Sequence, residues 1–177
     1  MPVEVELGCG DGAFLFGRAA EDPWRNYVGV DIREEMVRRV QARAMRLGLR
    51  GITAVVGNIN ADLGRLFAEG SVDRFCMNFP DPWFKRRHHK RRMLTPELAA
   101  DVVKALKPGG EFFFQSDVFD VALDAMDILE QEPGLANVVG PWRFERESPF
   151  RAQSKRERQT LRKGLRVWRL RYHKVGG

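Results

Sequence analysis

The sequence predicts an α/β domain on a mostly parallel sheet, and three observations carry that prediction. Short apolar runs alternate with segments whose apolar residues recur at helical spacing. The first apolar run passes through a glycine-rich turn straight into a helical segment. The alternation then continues to Pro133 without an internal repeat or a low-complexity linker. In sheets of this kind ligands bind beyond the carboxyl ends of the strands, so residues just after each strand are the candidates for function.

Residues 3–7 make the first strand, and Gly8-Cys9-Gly10-Asp11-Gly12 turns the chain into a helix over 13–20. Residues 27–31 form the second strand. A helix over 34–47 follows, with Met36, Val37, Val40, Ala44 and Leu47 near helical spacing and Gly48 as its stop. Residues 52–56 are the third strand, and Leu63, Leu66 and Phe67 mark a short helix. After a fourth strand over 72–78, Thr95 as N-cap and Pro96 at the first turn open a helix through Leu106, ended by Lys107-Pro108-Gly109-Gly110. Residues 111–115 carry three successive Phe and form a fifth strand, and 118–130 form another helix. Beyond Pro133 the pattern weakens. Only 166–173, with Val167, Trp168, Leu170 and Tyr172, has the character of a final strand.

The 177 residues, 44% hydrophobic and 31% charged, suffice for a single domain, residues 1–177, with a full core. No apolar run approaches the ~18 residues of a membrane span and Met1 leads into a strand, so a soluble, cytoplasmic protein is expected. Cys9 and Cys76 have no partner Cys or His at ligand spacing, which predicts reduced, buried thiols and no metal. The net charge of +6 is uneven: residues 150–177 hold ten Lys or Arg against Glu157 alone, +9 against −3 for the rest. With the run at 85–92, two basic segments flank a near-neutral body. A solvated basic face is the simple reading of either alone; together they point to a polyanion held at a defined place.

The glycines of Glu6-Leu7-Gly8-Cys9-Gly10-Asp11-Gly12 let the backbone turn sharply against a ligand. Gly8, Gly10 and Ala13 also satisfy the G-x-G-x-x-G/A pattern that binds a dinucleotide pyrophosphate. Glu6 argues for another cofactor. A carboxylate there repels pyrophosphate and suits a cationic amino-acid moiety, while Asp31 can accept both hydroxyls of a ribose. The combination favours S-adenosylmethionine over NAD. The E-x-G-x-G-x-G turn resembles the first motif of the Rossmann-like class I methyltransferases, whose sheet is mostly parallel and seven-stranded with helices on both faces. The resemblance implies that 166–173 supplies the antiparallel seventh strand and that Asn58, after the third strand, meets the adenine; a plain turn-forming Asn is the alternative.

The end of the fourth strand then faces the transferable methyl. Asp81 lies there between Pro80 and Pro82, which restrict φ on either side of it. The connection over 79–94 is long for a compact domain, which favours a functional loop. Its Lys85 to Arg92 run would bring phosphates to the site, and Trp83, Phe84, His88 and His89 offer surfaces for stacking on a base. An acid at the methyl with cations around it suits a nucleic-acid base as substrate.

The loop, FPDPWFKRRHHKRR over 79–92, resembles the signature of the tRNA (guanine-N7-)-methyltransferases, which form 7-methylguanosine at position 46 of the variable loop. The resemblance covers most of the chain. It implies cofactor contacts at Glu6, Asp31, Asn58 and Asp81, alongside the glycine turn at Gly8, Gly10 and Gly12, with Asp81 also the catalytic residue. RNA or guanine contacts are implied at Lys85 and Asp117. The family's C-terminal T-x-x-E-x-R reads Ser154-Lys155-Arg156-Glu157-Arg158-Gln159 here. Ser keeps the hydroxyl, but Gln159 replaces an Arg that Arg158 or Arg162 would have to replace in turn. Family members usually carry an extension before the first strand, often basic, that does not stand in this sequence, either through natural absence or through truncation. The expected partner is tRNA, with basic elements at 83–92 and 150–174, no membrane, and a monomer or weak homodimer.

Guanine N7 has an in-plane lone pair and no proton, so its methylation needs alignment rather than a base. A held Asp81 would orient the purine and stabilise the positive charge developing on it. Asp117 and Glu157 are candidates to accept from the N1–H and N2–H edge. Asp117 is equally placed to N-cap the following helix, Asp120, Asp124 and Asp127 share a face read as solvated, and Glu157 could instead pair with a neighbouring Arg. Two other readings stand beside this one: a methyltransferase for another base of RNA or DNA, such as an exocyclic amine of adenine, and a catalytically silent RNA-binding relative.

Overall fold

The structure, a computed structural model, describes residues 1–82 and 92–176. Five strands, β1 (Val3–Leu7), β2 (Asn26–Asp31), β3 (Ile52–Val56), β4 (Val72–Asn78) and β5 (Leu106–Ser116), pair in parallel in the order β3-β2-β1-β4-β5. β7 (Trp168–Lys174) adds to β5 antiparallel, and β6 (Leu135–Asn137) pairs antiparallel with the outer side of β7. The order reverses after β1, so the carboxyl ends of β1 and β4 open onto a crevice. The helices are α1 (Ala13–Glu21), α2 (Glu34–Arg46), α3 (Ile59–Leu66), α4 (Pro96–Ala105), α5 (Phe119–Gln131) and α6 (Lys155–Arg162).

Strand alternation sorts the sheet into two unlike faces. On one, Val5, Leu7, Phe75, Met77, Phe112, Phe114, Leu170 and Tyr172 join Leu98, Val102, Val121, Ala125 and Leu129 of α4 and α5 in the main core. On the other, Leu15 and Phe16 of α1 pack with Val37 and Val40 of α2 over Tyr27 and Ala54. Cys76 and Phe113 meet Phe14 and Phe150 on that same side. It also carries an unusual amount of charge: Glu4 takes Arg18 and Arg74, Arg74 reaches Glu111, and Arg171 bridges Glu111 to Glu145. Cys9 and Cys76 are buried and form no disulfide.

The parallel strands and the antiparallel last strand agree with the sequence reading. Four elements differ. α4 stops at Ala105, and Leu106 already pairs with Val72; the ladder then shifts and resumes at Glu111 opposite Arg74, so Lys107-Pro108-Gly109-Gly110 lies within β5 as an irregularity and is not a helix stop alone. β6 and α6 are additional. No helix among the described residues is long and apolar enough to cross a membrane.

Candidate active site

The glycine turn is built as bare backbone. Gly8, Gly10 and Gly12 have φ of 77°, 52° and 73°, the left-handed region that costs an L-residue about 1 kcal/mol or more. The N–H groups of Gly8 and Cys9 both donate to Val30 O, at 2.8 and 3.1 Å, which folds the turn back over the end of β2. A β-carbon at Gly12 would lie 2.9 Å from Val40 Cγ2, and one at Gly8 would lie 3.1 Å from Met93 Cε. The turn thus comes close to α2 on one side and to the segment after the 79–91 loop on the other.

Asp31 closes β2 beside this turn. Its Oδ2 accepts from Gly10 N at 2.9 Å, and its Oδ1 from Arg33 N at 2.9 Å. The Arg33 guanidinium adds bonds of 2.9 and 3.0 Å to the same two oxygens. Burial alone would raise this carboxyl, but the Arg33 side chain and the two backbone N–H groups outweigh it and hold it below the usual range. Arg33 itself is largely exposed, so its guanidinium covers Asp31 from the solvent side. Asn58 caps α3, its side chain accepting from Asn60 N at 3.2 Å.

Glu6 is 3% exposed. Oε1 accepts from Asn78 Nδ2 at 2.9 Å, while Oε2 has no hydrogen-bond partner among the described residues. Burial pushes this carboxyl up to about 8, opposed by the Asn78 amide and then by the nearby Leu15 backbone N–H, which falls short of a well-formed hydrogen bond to Oε2. A buried carboxylate oxygen left unmatched is expensive, and a cation beside it removes that cost.

A cleft of about 380 Å³ joins Gly8, Asp31, Asn58, Asn78, Pro80 and Asp81. Ile32, 66% exposed despite being apolar, forms part of its wall. A second hollow of about 430 Å³, lined mostly by apolar side chains such as Leu94, Phe114 and Val121, shares Pro80, Asp81 and Met93 with the first. Asp81 therefore sits exposed where two cavities meet. Its position owes as much to Phe79 as to the prolines. Phe79 has φ of 50°, a conformation rare for a bulky residue, held by donation from Phe79 N to Gln115 O at 2.8 Å.

Lys85, with Trp83, Phe84, His88 and His89, lies outside the described residues. Arg92 follows them; its Nε donates to Pro82 O at 3.3 Å, and its guanidinium pairs with Asp124. Asp124 is thus an ion-pair partner and not merely part of a solvated face.

Beyond β5, Val118 is the N-cap of α5, so Asp117 does not serve that role. Asp117 Oδ2 instead accepts from Arg156 Nε at 2.8 Å and Thr160 Oγ1 at 3.1 Å, fastening α6 to the end of β5. Ser154 caps α6 by accepting from Glu157 N at 3.0 Å. Lys155, Arg156, Arg158, Gln159 and Arg162 are exposed along the helix, and Arg158 also donates to Gln153 O at 2.8 Å. Glu157 is fully buried, with both oxygens taken: Oε1 by Arg169 at 2.9 Å and Oε2 by Gln115 at 3.0 Å. Three of the ten tail cations, Arg169, Arg171 and Lys174, are likewise spent on partners along the sheet, so the basic surface is narrower than the charge count suggests.

The sequence reading did not single out Ile32, Arg33, Phe79, Gln115 or Arg169. For α6 a signal was present: Ser154 three residues before Glu157 is the S-x-x-E pattern of a helix N-terminus.

The donor set suits S-adenosylmethionine better than a dinucleotide: an unmatched buried acid for an ammonium, a second acid for ribose hydroxyls, an apolar wall for a purine. A seven-stranded sheet with an antiparallel β7 and this constellation define a Rossmann-like methyltransferase. Over residues 1–170 the chain matches a family profile described as "Putative methyltransferase". It is 41% identical over 169 residues to the tRNA (guanine-N(7)-)-methyltransferase of Synechococcus sp. (strain JA-3-3Ab), covering 95% of this chain and 70% of that protein. To the tRNA (guanine-N(7)-)-methyltransferase of Anaeromyxobacter dehalogenans (strain 2CP-C) it is 40% identical over 173 residues, covering 98% and 86%. Among solved structures, a SAM dependent methyltransferase from Aquifex aeolicus shares the fold with a TM-score of 0.67 at 13% identity, over 98% of this chain and 82% of that one. The protein belongs to the tRNA (guanine-N(7)-)-methyltransferase family.

Proposed function

We propose that the protein transfers the methyl group of S-adenosylmethionine to N7 of a guanine in tRNA, guanine 46 of the variable loop, as a cytoplasmic single-domain enzyme. The observation that carries this reading is the identity of about two residues in five with relatives of that name across nearly the whole chain. The site supports it residue by residue. Glu6 Oε2 would take the cofactor's ammonium, Gly8, Gly10 and Gly12 its close approach, Asp31 its ribose once Arg33 turns aside, and Asn58 with Ile32 its adenine. When bound, the cofactor supplies an electrophilic methyl on a sulfonium. The chain's own task is then to aim guanine N7 at that methyl and to meet the positive charge that grows on the purine. Asp81 does both from the rim between the two cavities, and the left-handed Phe79 and the flanking prolines limit its wandering.

Because both oxygens of Glu157 are occupied within the protein, recognition of the guanine N1–H and N2–H edge passes to half-buried Asp117. Arg156 is bonded to it, Ser154 and Lys155 at the start of α6 would add contacts to the RNA, and Lys85 would add a phosphate contact. Assembly as a monomer or weak homodimer completes the reading.

Incubation with methyl-labelled S-adenosylmethionine and unmodified tRNA, followed by nucleoside analysis, tests it. Label in 7-methylguanosine that disappears when guanine 46 is replaced by adenine is the expected result. Label in any other nucleoside, or none despite cofactor and tRNA binding, overturns it.

A further inference from the structure

A row of buried polar side chains crosses the sheet from β1 to β7, on the face away from α4 and α5. Asn78 Nδ2 donates to Glu6 Oε1 at 2.9 Å, and Gln115 Nε2 donates to Asn78 Oδ1 at 2.9 Å and to Glu157 Oε2 at 3.0 Å. Arg169 closes the row, donating from Nε to Gln115 Oε1 at 3.2 Å and from Nη2 to Glu157 Oε1 at 2.9 Å. None of the five residues is more than 9% exposed. Apolar side chains would fill such a face at less desolvation cost, as Phe113 and Cys76 do beside it. Packing therefore gives no reason for the row.

Its polarity is dictated from the two ends. A guanidinium only donates, so Gln115 must turn its oxygen to Arg169 and its amide nitrogen to Glu157 and Asn78. Asn78 must then offer its oxygen to Gln115 and its nitrogen to Glu6. Glu6 is left accepting at Oε1, with Oε2 still to be matched. At the far end the row holds α6 by Glu157. That helix buries only Glu157 and Thr160, so polar bonds and not an apolar stripe seat it on the sheet.

We propose that the row Glu6-Asn78-Gln115-Glu157-Arg169 couples the two binding sites, so that a cation held at Glu6 favours the seated position of α6 and tRNA held by α6 favours the cation at Glu6. Hydrogen bonds in a connected chain polarise one another, and each amide here has a single orientation that satisfies both neighbours. Asn78, Gln115 and Arg169 are positioning residues in this scheme. Such coupling is reciprocal by thermodynamic necessity. The inference rests on the proposed function, since it takes the two ligands from it.

The test measures binding of an unmodified tRNA transcript to the full chain with and without saturating S-adenosylhomocysteine, and binding of S-adenosylhomocysteine with and without tRNA. In the wild type each ligand should tighten the other by about 5-fold or more, by the same factor in both directions. Gln115→Met keeps the side chain's length and removes its polar atoms; it should bring the factor to within about twofold of one while both ligands still bind. Glu157→Gln is the second variant, placing an amide nitrogen among donors, and should do the same. A purely structural role would weaken folding or either affinity without changing the factor. An uncoupled wild type, or an unchanged factor in either folded variant, overturns the coupling while leaving the proposed function intact. A wild type that binds neither ligand overturns both.

Discussion

Of the acids proposed for the site, Glu6 is buried and Asp81 is exposed. For Glu6 the folded carboxyl titrates near 8, against 4.5 for a free one. Between these values the folded state keeps a proton that the unfolded state releases. The stability Glu6 contributes is therefore complete below about pH 4.5 and is lost as pH rises through about 8. Glu6→Gln lacks this dependence. Urea unfolding without cofactor should show the wild type losing ground to the variant across that window, by on the order of a few kcal/mol, and holding level above it. S-adenosylhomocysteine affinity in the wild type should rise with pH up to about 8, since the bound ammonium wants the ionised carboxylate, and should stay flat in Glu6→Gln. Asp81 makes the contrasting prediction: Asp81→Ala should lower kcat on tRNA by about 10²-fold or more, the usual cost of removing a preorganised charge at a transition state. Full turnover in single-turnover assays would exclude the assigned role.

Helix α6 shows why some elements were legible in the sequence and others were not. Its eight residues, KRERQTLR, have no apolar stripe, so hydrophobic periodicity is silent and only the Ser154 and Glu157 pattern reports the helix. If the Ser154 hydroxyl is what starts it, Ser154→Ala should cost about 1 kcal/mol in thermal unfolding and raise KM for tRNA, whereas Ser154→Thr should behave as wild type. The parallel strands were readable because each is an apolar run bounded by a turn. Three-residue β6 is too short to show a pattern, and the sequence predicts a shorter β5 than the structure has because Lys107-Pro108-Gly109-Gly110 carries turn chemistry while lying inside a strand. Glu6, Asp31, Asn58 and Asp81 draw notice in the sequence because glycines and prolines mark the turns beside them. Phe79 does not, since a left-handed phenylalanine is imposed by the tertiary bond to Gln115 and leaves no local trace. The burial of Glu157 was equally hidden, because its partners lie 42 and 12 residues away in β5 and β7.

At the scale of the whole molecule the net charge of +6 acts through the cations that remain at the surface. With about six phosphates neutralised, log K for tRNA should fall against log salt with a slope of roughly −4 to −5, while S-adenosylhomocysteine binding in its cleft should barely change. Filter binding at several salt concentrations measures the first and calorimetry the second; equal salt responses would refute the division. The placement of β7 bears on how the molecule comes into being. Of these strands it is the last to leave the ribosome, yet it lies inside the sheet, with β6 outside it and bonded only to it. A nascent chain that has emerged as far as residue 165 holds five strands, an exposed edge at β5 and an α6 whose Glu157 still lacks Arg169. The final seven-residue strand then works as a keystone, covering the β5 edge and supplying Glu157 of α6 with Arg169 in one step, so partial chains hold the glycine turn before they hold a seated α6.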